Sequence, residues 1–392
     1  MVLLKQGNKI TSSTRRMVKK QLSWGDKMIE GLKAILSGDA MIPSQGFVDA
    51  WKKYFPQYGD NYIAEDWESD WGKLQYRRLE VEKKGPEIEE VPEVVLKHGK
   101  EANVLAGLFF PVSSKVFDQM PNLRIVGVSR AGVENVNVKE ATKRGILVFN
   151  VKGRNAHAVS DFTVGMLLAE ARNIARAHYA IKNGEWRKTF SNSDHIMELH
   201  DKTIGIIGFG YIGRLVAKKL SGFDMNTLVY DPYVSKEEIE SLGYKKAELD
   251  ELLRNSDFVT INARLTEENR NMIGEEQLRM MKKTAILINT GRAGLVDHDA
   301  LIKALKEKWI AGAALDVFPV EPIEEDSPLL ELDNVTLTTH IAGTTTEALT
   351  NSPYLLMEDI SKFFKGENPR FIVNPEVLED EGFKGWFSQF KR

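Results

Sequence analysis

No feature of this sequence limits the possible folds more than three glycines, Gly208, Gly210 and Gly213, set between an apolar run ending at Ile207 and a helical run from Arg214 to Leu220. In a strand-turn-helix unit the first glycine permits the tight turn, the second lets a phosphate approach the backbone, and the third lets the helix pack closely on the strand. Tyr211 and Ile212 then open the helix, where first-turn amides face whatever anion the loop holds. A glycine loop of this form, taken alone, is equally well a structural turn. Asp231 provides the missing context, because it ends the next apolar run about twenty residues on, where a carboxylate accepts hydrogen bonds from ribose hydroxyls. The same carboxylate repels a 2′-phosphate, so the expected dinucleotide is NAD rather than NADP.

The flanking runs extend the pattern. From Lys202 to His340 six apolar stretches alternate with helical ones: Ile204 to Ile207, Thr227 to Tyr230, Phe258 to Ile261, Ala285 to Ile288, Ala311 to Leu315 and Val335 to Thr338. This alternation describes an α/β fold with a doubly wound parallel sheet. Upstream, runs at Val104 to Leu108, Leu123 to Val128 and Ile146 to Phe149 predict further buried parallel strands. A chain of 392 residues exceeds what one core organises, so two lobes are expected. Residues 1 to 36 carry Met17, Leu22, Met28, Ile29, Leu32, Ile35 and Leu36 at roughly helical spacing and read as an N-terminal helical extension. Asp66 to Lys100, rich in Glu and Lys, reads as a solvated surface insertion, and Val159 to Ile181 as one long amphipathic helix that links the lobes. Beyond Gly343 a helical stretch from Thr346 to Phe364 precedes a tail expected to return to the first lobe. The aromatic end of that tail, Trp386, Phe387 and Phe390, either caps a neighbouring subunit or is disordered.

Composition narrows the chemistry. A net charge of -3 gives no electrostatic footprint for nucleic acid or an anionic membrane, which favours a small-molecule partner. Cysteine is absent, which excludes disulfides, thiolate metal sites and a cysteine nucleophile; no metal site is expected. The basic N-terminus lacks the apolar core of a secretory signal, and no stretch stays apolar for the ~18 residues a span requires, so a cytoplasmic location is expected.

Three polar residues follow predicted strands at the carboxyl ends where ligands collect in open parallel sheets. Arg292 comes after Leu287-Ile288-Asn289-Thr290-Gly291 and offers a guanidinium able to hold a carboxylate by paired hydrogen bonds. His340 comes after Val335-Thr336-Leu337-Thr338-Thr339, and imidazole is the side chain best suited to exchange a proton with an alcohol near neutral pH. Glu321, in Asp316-Val317-Phe318-Pro319-Val320-Glu321-Pro322, supplies a carboxylate to fix the imidazole tautomer. Singly, each also reads as a surface arginine, a buried hydrogen-bonded histidine and a loop glutamate.

With these residues in place the chain resembles the D-isomer-specific 2-hydroxyacid dehydrogenases, in particular phosphoglycerate dehydrogenase-like members without a regulatory domain. The resemblance covers roughly Met41 to Leu378. It rests on Ala131-Gly132-Val133-Glu134-Asn135-Val136, the glycine loop, Met281-Lys282-Lys283 leading to Asn289-Thr290-Gly291-Arg292, Ala313-Ala314-Leu315-Asp316-Val317-Phe318 with Glu321-Pro322, and Pro328-Leu329-Leu330 through Asn334-Val335 to His340. It implies two Rossmann-like lobes: a smaller flavodoxin-like substrate domain from residues 37–156 plus 344–392, and an NAD-binding Rossmann domain over residues 157–343. It further implies a catalytic set of Arg292, Glu321 and His340, with His340 taking the hydroxyl proton as hydride passes to NAD. Cofactor contacts are implied at Ala263, Thr290, Gly291 and Gly343, with Asp316 near the nicotinamide carboxamide. Substrate contacts are implied at Arg130, Ala131, Gly132, Arg154 and Asn155, and a homodimer around the helix after Val159. The chain departs from the family pattern at Asn262-Ala263-Arg264, where relatives carry a His and a Pro, at Thr339 in place of Pro, and at Ala293 in place of Gly. No regulatory serine-binding domain is expected after the second lobe.

Lys152, Arg154 and Arg130 offer more positive charge than a two-carbon acid requires, which suggests a sugar acid or its phosphate as substrate; as solvated loop charges they carry no such message. Two other readings share the fold: an NAD(H)-sensing binding protein like the C-terminal-binding corepressors, and a dehydrogenase of phosphite or formate. The first is disfavoured by the lack of a basic or disordered partner-binding tail. Glu321 disfavours the formate type, which carries an amide there.

Overall fold

Short apolar runs hidden on both faces are what a parallel sheet requires, and the computed structural model, which describes residues 31–390, arranges them in two such sheets, one in each of two compact units. Among the described residues, the first unit joins residues 31–154 with residues 346–390, and the second is Asn155–Thr345. Among the described residues no helix is long and apolar enough to cross a membrane.

The first unit contains β1 (Ala34–Asp39), β2 (Tyr62–Glu68), β3 (Val104–Gly107), β4 (Ile125–Val128) and β5 (Leu147–Asn150), in the order β2-β1-β3-β4-β5 with every pairing parallel. This is the flavodoxin-like order, whose switch point lies between β1 and β3. Two expectations are corrected here. Most of the N-terminal helical extension falls outside the described residues, but Ile35 and Leu36, read as its last turn, lie in β1 and are fully buried. A run of five apolar or small residues fits both periodicities, and here the pairing of β1 with β2 and β3 decides it. Nor is Asp66 to Lys100 a free surface insertion: it begins in edge strand β2 and continues as the Trp71–Lys84 helix, whose Leu74 and Val81 are buried.

The chain from Thr346 returns to this unit. Asn374 accepts a hydrogen bond from Val148 N at 2.8 Å, and Ile372 bridges Phe149. The aromatic tail neither protrudes nor waits for a neighbour: Phe387 stacks on Phe363 at 4.6 Å between ring centroids, Phe390 meets Phe364 edge-on at 5.4 Å, and Phe383 and Phe390 are buried. Aromatic pairs of this geometry add about 0.5–1.5 kcal/mol each beyond their burial.

The second unit contains β6 (Thr203–Ile207), β7 (Asn226–Tyr230), β8 (Lys245–Lys246), β9 (Phe258–Ile261), β10 (Ile286–Asn289), β11 (Gly312–Leu315) and β12 (Val335–Leu337), in the order β12-β11-β10-β9-β6-β7-β8, all parallel. The order reverses between β6 and β9, so the ligand crevice of this doubly wound sheet opens beyond the ends of those two strands. The long helix expected over Val159 to Ile181 is instead two, Ala156–Ala171 and Ile174–Lys182. Between them Asn173 adopts a left-handed φ of 56° and its amide bonds Asn192 Oδ1 at 2.6 Å. Arg176 then folds back, reaching Glu170 Oε1 at 2.5 Å, while Thr336 Oγ1 donates to Glu170 Oε2 at 2.7 Å. Satisfying this buried ion pair costs the helix its continuity.

Candidate functional site

The loop after β6 divides the labour of its glycines. Gly208 has φ +90°, and a Cβ there would lie 2.5 Å from Ala263 N; a Cβ on Gly213 would lie 2.1 Å from Gly208 O. Both positions are closed by packing. Gly210 caps the ten-residue Tyr211–Leu220 helix, and a Cβ on it would meet nothing within 4 Å. The space a diphosphate needs is therefore at the helix N-terminus, where the amides of Tyr211 and Ile212 begin the first turn. Gly208→Ala is expected to cost about 1–3 kcal/mol, because the left-handed backbone and the clash with the Ala263 backbone cannot both relax. A thermal melt would check this.

Asp231 follows β7 directly and is nearly buried. Its Oδ2 accepts from Phe209 N at 2.7 Å and its Oδ1 from Tyr233 N at 2.8 Å. A carboxylate offers about four lone-pair positions, so two remain for a diol. The carboxylate thus ties the glycine loop to the end of β7 and keeps capacity for a ribose. The residues present fit an adenine dinucleotide that lacks a 2′-phosphate.

At the ends of β10, β11 and β12 the structure brings together what the sequence proposed in separate segments. Glu321 Oε2 lies 2.7 Å from His340 Nδ1, and Glu321 Oε1 accepts from Phe318 N at 3.0 Å. The side chains of His340 and Glu321 are 46% and 36% exposed, so this is no core histidine satisfied by a buried partner. Arg292 is exposed, its Nη1 donates to Gly291 O at 2.8 Å, and it forms no ion pair among the described residues. Its guanidinium keeps most of its donors for an incoming anion.

The residues that hold this set in place were only partly visible in the sequence. Asn289, which ends β10, accepts from Gly291 N at 3.0 Å and donates to Arg292 O at 3.1 Å, so one buried amide shapes the turn that presents Arg292. A polar residue closing an apolar run was the available signal. Thr290 Oγ1 is hydrogen-bonded to Thr163 Oγ1 of the Ala156–Ala171 helix at 2.7 Å, and a Cβ on Gly291 would approach Ile261 O at 3.0 Å. Asp316 is fully buried: its Oδ1 accepts from Thr338 Oγ1 at 2.6 Å and Ile341 N at 3.0 Å, and its Oδ2 from Ala342 N at 2.9 Å. These bonds clamp both sides of His340, whose own backbone sits at a left-handed φ of 57°. Gly343 follows, where a Cβ would lie 2.4 Å from Asn155 Nδ2.

The first-unit candidates lie past the ends of its strands. Arg130 Nη2 pairs with Glu82 at 2.7 Å and Glu134 at 3.4 Å, Ala131 O accepts from Asn150 Nδ2 at 2.6 Å, and a Cβ on Gly132 would collide with Glu134. Arg154 donates to Ala348 O at 3.0 Å. Among the described residues no three His, Asp or Glu side chains are grouped to hold a metal.

Residues 164–342 match the family described as D-isomer specific 2-hydroxyacid dehydrogenase, NAD binding domain. The chain is 42% identical to a glyoxylate reductase of Korarchaeum cryptofilum over 73% of this chain and 87% of that one. It is 41% identical to a D-3-phosphoglycerate dehydrogenase of Methanocaldococcus jannaschii over 74% of this chain and 55% of that one. Among solved structures, a D-isomer specific 2-hydroxyacid dehydrogenase of Lactobacillus delbrueckii ssp. bulgaricus in its NAD-complexed form is similar in fold. It has a TM-score of 0.68 at 24% identity, covering 87% of this chain and 100% of that one.

Proposed function

The chain belongs to the D-isomer specific 2-hydroxyacid dehydrogenase family and uses NAD, and from that premise we propose how its own residues carry the reaction. The observation that carries the reading is the 2.7 Å contact between His340 Nδ1 and Glu321 Oε2. With Nδ1–H donated to the carboxylate, Nε2 is the nitrogen that exchanges a proton with the substrate oxygen. NADH, when bound, supplies the hydride to C2 of a 2-oxo acid. His340 Nε2 gives the developing alkoxide its proton, and Glu321 stabilises the imidazolium before that transfer. Arg292 holds the substrate carboxylate. Asp231 takes the adenosine ribose and the amides after Gly210 take the diphosphate, with Ala263, Thr290, Gly291 and Gly343 forming the walls of the nucleotide site through backbone and packing. Arg130, Ala131, Gly132, Arg154 and Asn155 are assigned to substrate recognition.

The relatives named above point to glyoxylate and to phosphorylated hydroxy acids as first substrates to try. Mixing the chain with NADH and a panel of 2-oxo acids should lower the NADH absorbance with at least one of them, and NADPH should serve less well. No consumption with any 2-oxo acid would overturn the reading. Arg292→Ala is expected to lower kcat/KM by about 10- to 100-fold, the loss of one or two charge-assisted hydrogen bonds, mainly through KM.

We also assign the chain to a homodimer in the cytoplasm. Ile174, Tyr179, Ile181 and Trp186, on and just after the Ile174–Lys182 helix, are exposed apolar side chains close in sequence, which a partner subunit would cover. Sedimentation should give twice the mass of 44.3 kDa; a monomer at micromolar concentration would contradict it.

A further inference from the structure

The loop that receives the diphosphate carries no full positive charge of its own. Gly208 through Gly213 contains no cation, and the chain after β7 runs Asp231-Pro232-Tyr233-Val234-Ser235. Arg214, next after the glycines, is committed: its Nη2 donates to Glu238 at 2.7 Å and its guanidinium lies over the Phe209 ring, 4.7 Å from the centroid. A helix N-terminus is worth roughly half an elementary charge, which leaves most of a doubly anionic diphosphate uncompensated.

The end of β9 offers a cation. It lies directly against the glycine loop: Asn262 N donates to Ile207 O at 2.7 Å, and a Cβ on Gly208 would come 2.6 Å from Ala263 Cα. Side chains alternate between the two faces along a strand, and here the alternation continues past the strand's end. Val259, Ile261, Ala263 and Leu265 all pack in one cluster, on one face of the sheet. Phe258 packs in the other, with Val216, Ala217 and Leu220 of the Tyr211–Leu220 helix. Arg264, between Ala263 and Leu265, therefore leaves the chain on the face that carries this helix, at the end where the first-turn amides lie. Its backbone is fixed, because its carbonyl accepts from Asn269 Nδ2 at 2.7 Å while Asn269 Oδ1 accepts from Thr266 N at 2.7 Å. Its side chain is exposed and forms no hydrogen bond, ion pair or ring contact among the described residues. Glu267, three residues on, is taken by Arg270 at 3.0 Å. On the same face as Arg264, Asn262 Oδ1 is buried with no donor among the described residues, an acceptor of the kind that takes a ribose hydroxyl beside a diphosphate.

We propose that Arg264 is the cation that neutralises the cofactor's diphosphate, facing it from the end of β9 while the helix amides face it from the end of β6. The target rests on the dinucleotide site described above; the open, uncommitted guanidinium does not. Arg264 belongs to the segment Asn262-Ala263-Arg264 that departs from the family pattern, so this contact is a property of this chain's own sequence.

Binding to the full chain without substrate tests this. Dissociation constants for NADH, ADP and adenosine are measured, the first by nicotinamide fluorescence and the others by calorimetry, in the unaltered chain, in Arg264→Met and in Arg264→Lys. Arg264→Met should weaken NADH and ADP about 10-fold, the loss of one charge-assisted hydrogen bond at an exposed site, and leave adenosine as it was. Arg264→Lys, which keeps the charge, should recover most of the loss. The gap between the unaltered chain and Arg264→Met should narrow as sodium chloride is raised, because an exposed ion pair is screened. Arg264→Gln replaces the methionine variant if that one does not fold. ADP and NADH bound equally well by the unaltered chain and the variant overturn the proposal, and so does an equal weakening of adenosine, which has no phosphate. If the unaltered chain binds neither NADH nor ADP, the dinucleotide reading fails and takes the proposal with it; if it binds both and the variant changes neither, the proposal alone fails.

Discussion

Replacing His340 by glutamine should lower kcat for 2-oxo acid reduction by about 10²- to 10⁴-fold, the usual worth of a positioned general acid, while NADH still binds. Glutamine keeps a polar group of similar reach but has no proton to exchange. Glu321 would retain its bond to Phe318 N, so the loop it sits on need not move. The loss should therefore fall on kcat, with KM little changed, as for an interaction made only in the transition state. Single-turnover kinetics together with an NADH fluorescence titration separate the two effects. A variant that turns over like the unaltered chain would remove His340 from the mechanism.

Asp316→Ala should be the most damaging change for stability, and it touches nothing that reacts. The buried carboxylate satisfies the hydroxyl of Thr338 and the amides of Ile341 and Ala342. Removing this fully buried carboxylate leaves three donors without their acceptor, at a cost of about 3–5 kcal/mol. For a unit of this size that is a fall in Tm on the order of 10 °C. Activity should drop as well, because the left-handed backbone at His340 persists only while its neighbours on both sides are held. Asp316 is a positioning residue in this account. Its signature is a drop in both Tm and kcat, whereas His340→Gln should lower kcat alone; a variant with an unchanged melt would show that the clamp is not needed.

The architecture was legible because its signals are periodic and local. The six runs of the second unit became β6, β7, β9, β10, β11 and β12 nearly as bounded, since a strand buried on both faces admits little besides apolar residues. The lysine pair of β8 carries no such signal and was not seen. Failures came where a distant partner decided the outcome. Leu36 suits helix or strand until β2 and β3 pair with it. The helix break at Asn173 depends on Asn192 and on Thr336, far along the chain, and the charged Trp71–Lys84 helix is tied down by buried Leu74 and Val81 and by Glu82 reaching Arg130. The reacting groups were visible as polar residues that close apolar strands. Of their supports, Asn289 shows in the same way, as a polar residue closing an apolar run, but Thr163 and the clamp at Asp316 do not, because a hydrogen bond between remote segments leaves no trace in spacing.

The central claim is that this chain delivers hydride from the nicotinamide to C2 of a 2-oxo acid, with a proton following from His340. The most direct measurement is the reduction of an accepted 2-oxo acid with NADH doubly deuterated at C4, followed by NMR and chiral analysis of the product. The account predicts one deuterium at C2 of a D-configured 2-hydroxy acid. A product without deuterium at that carbon, or of the L configuration, would contradict it.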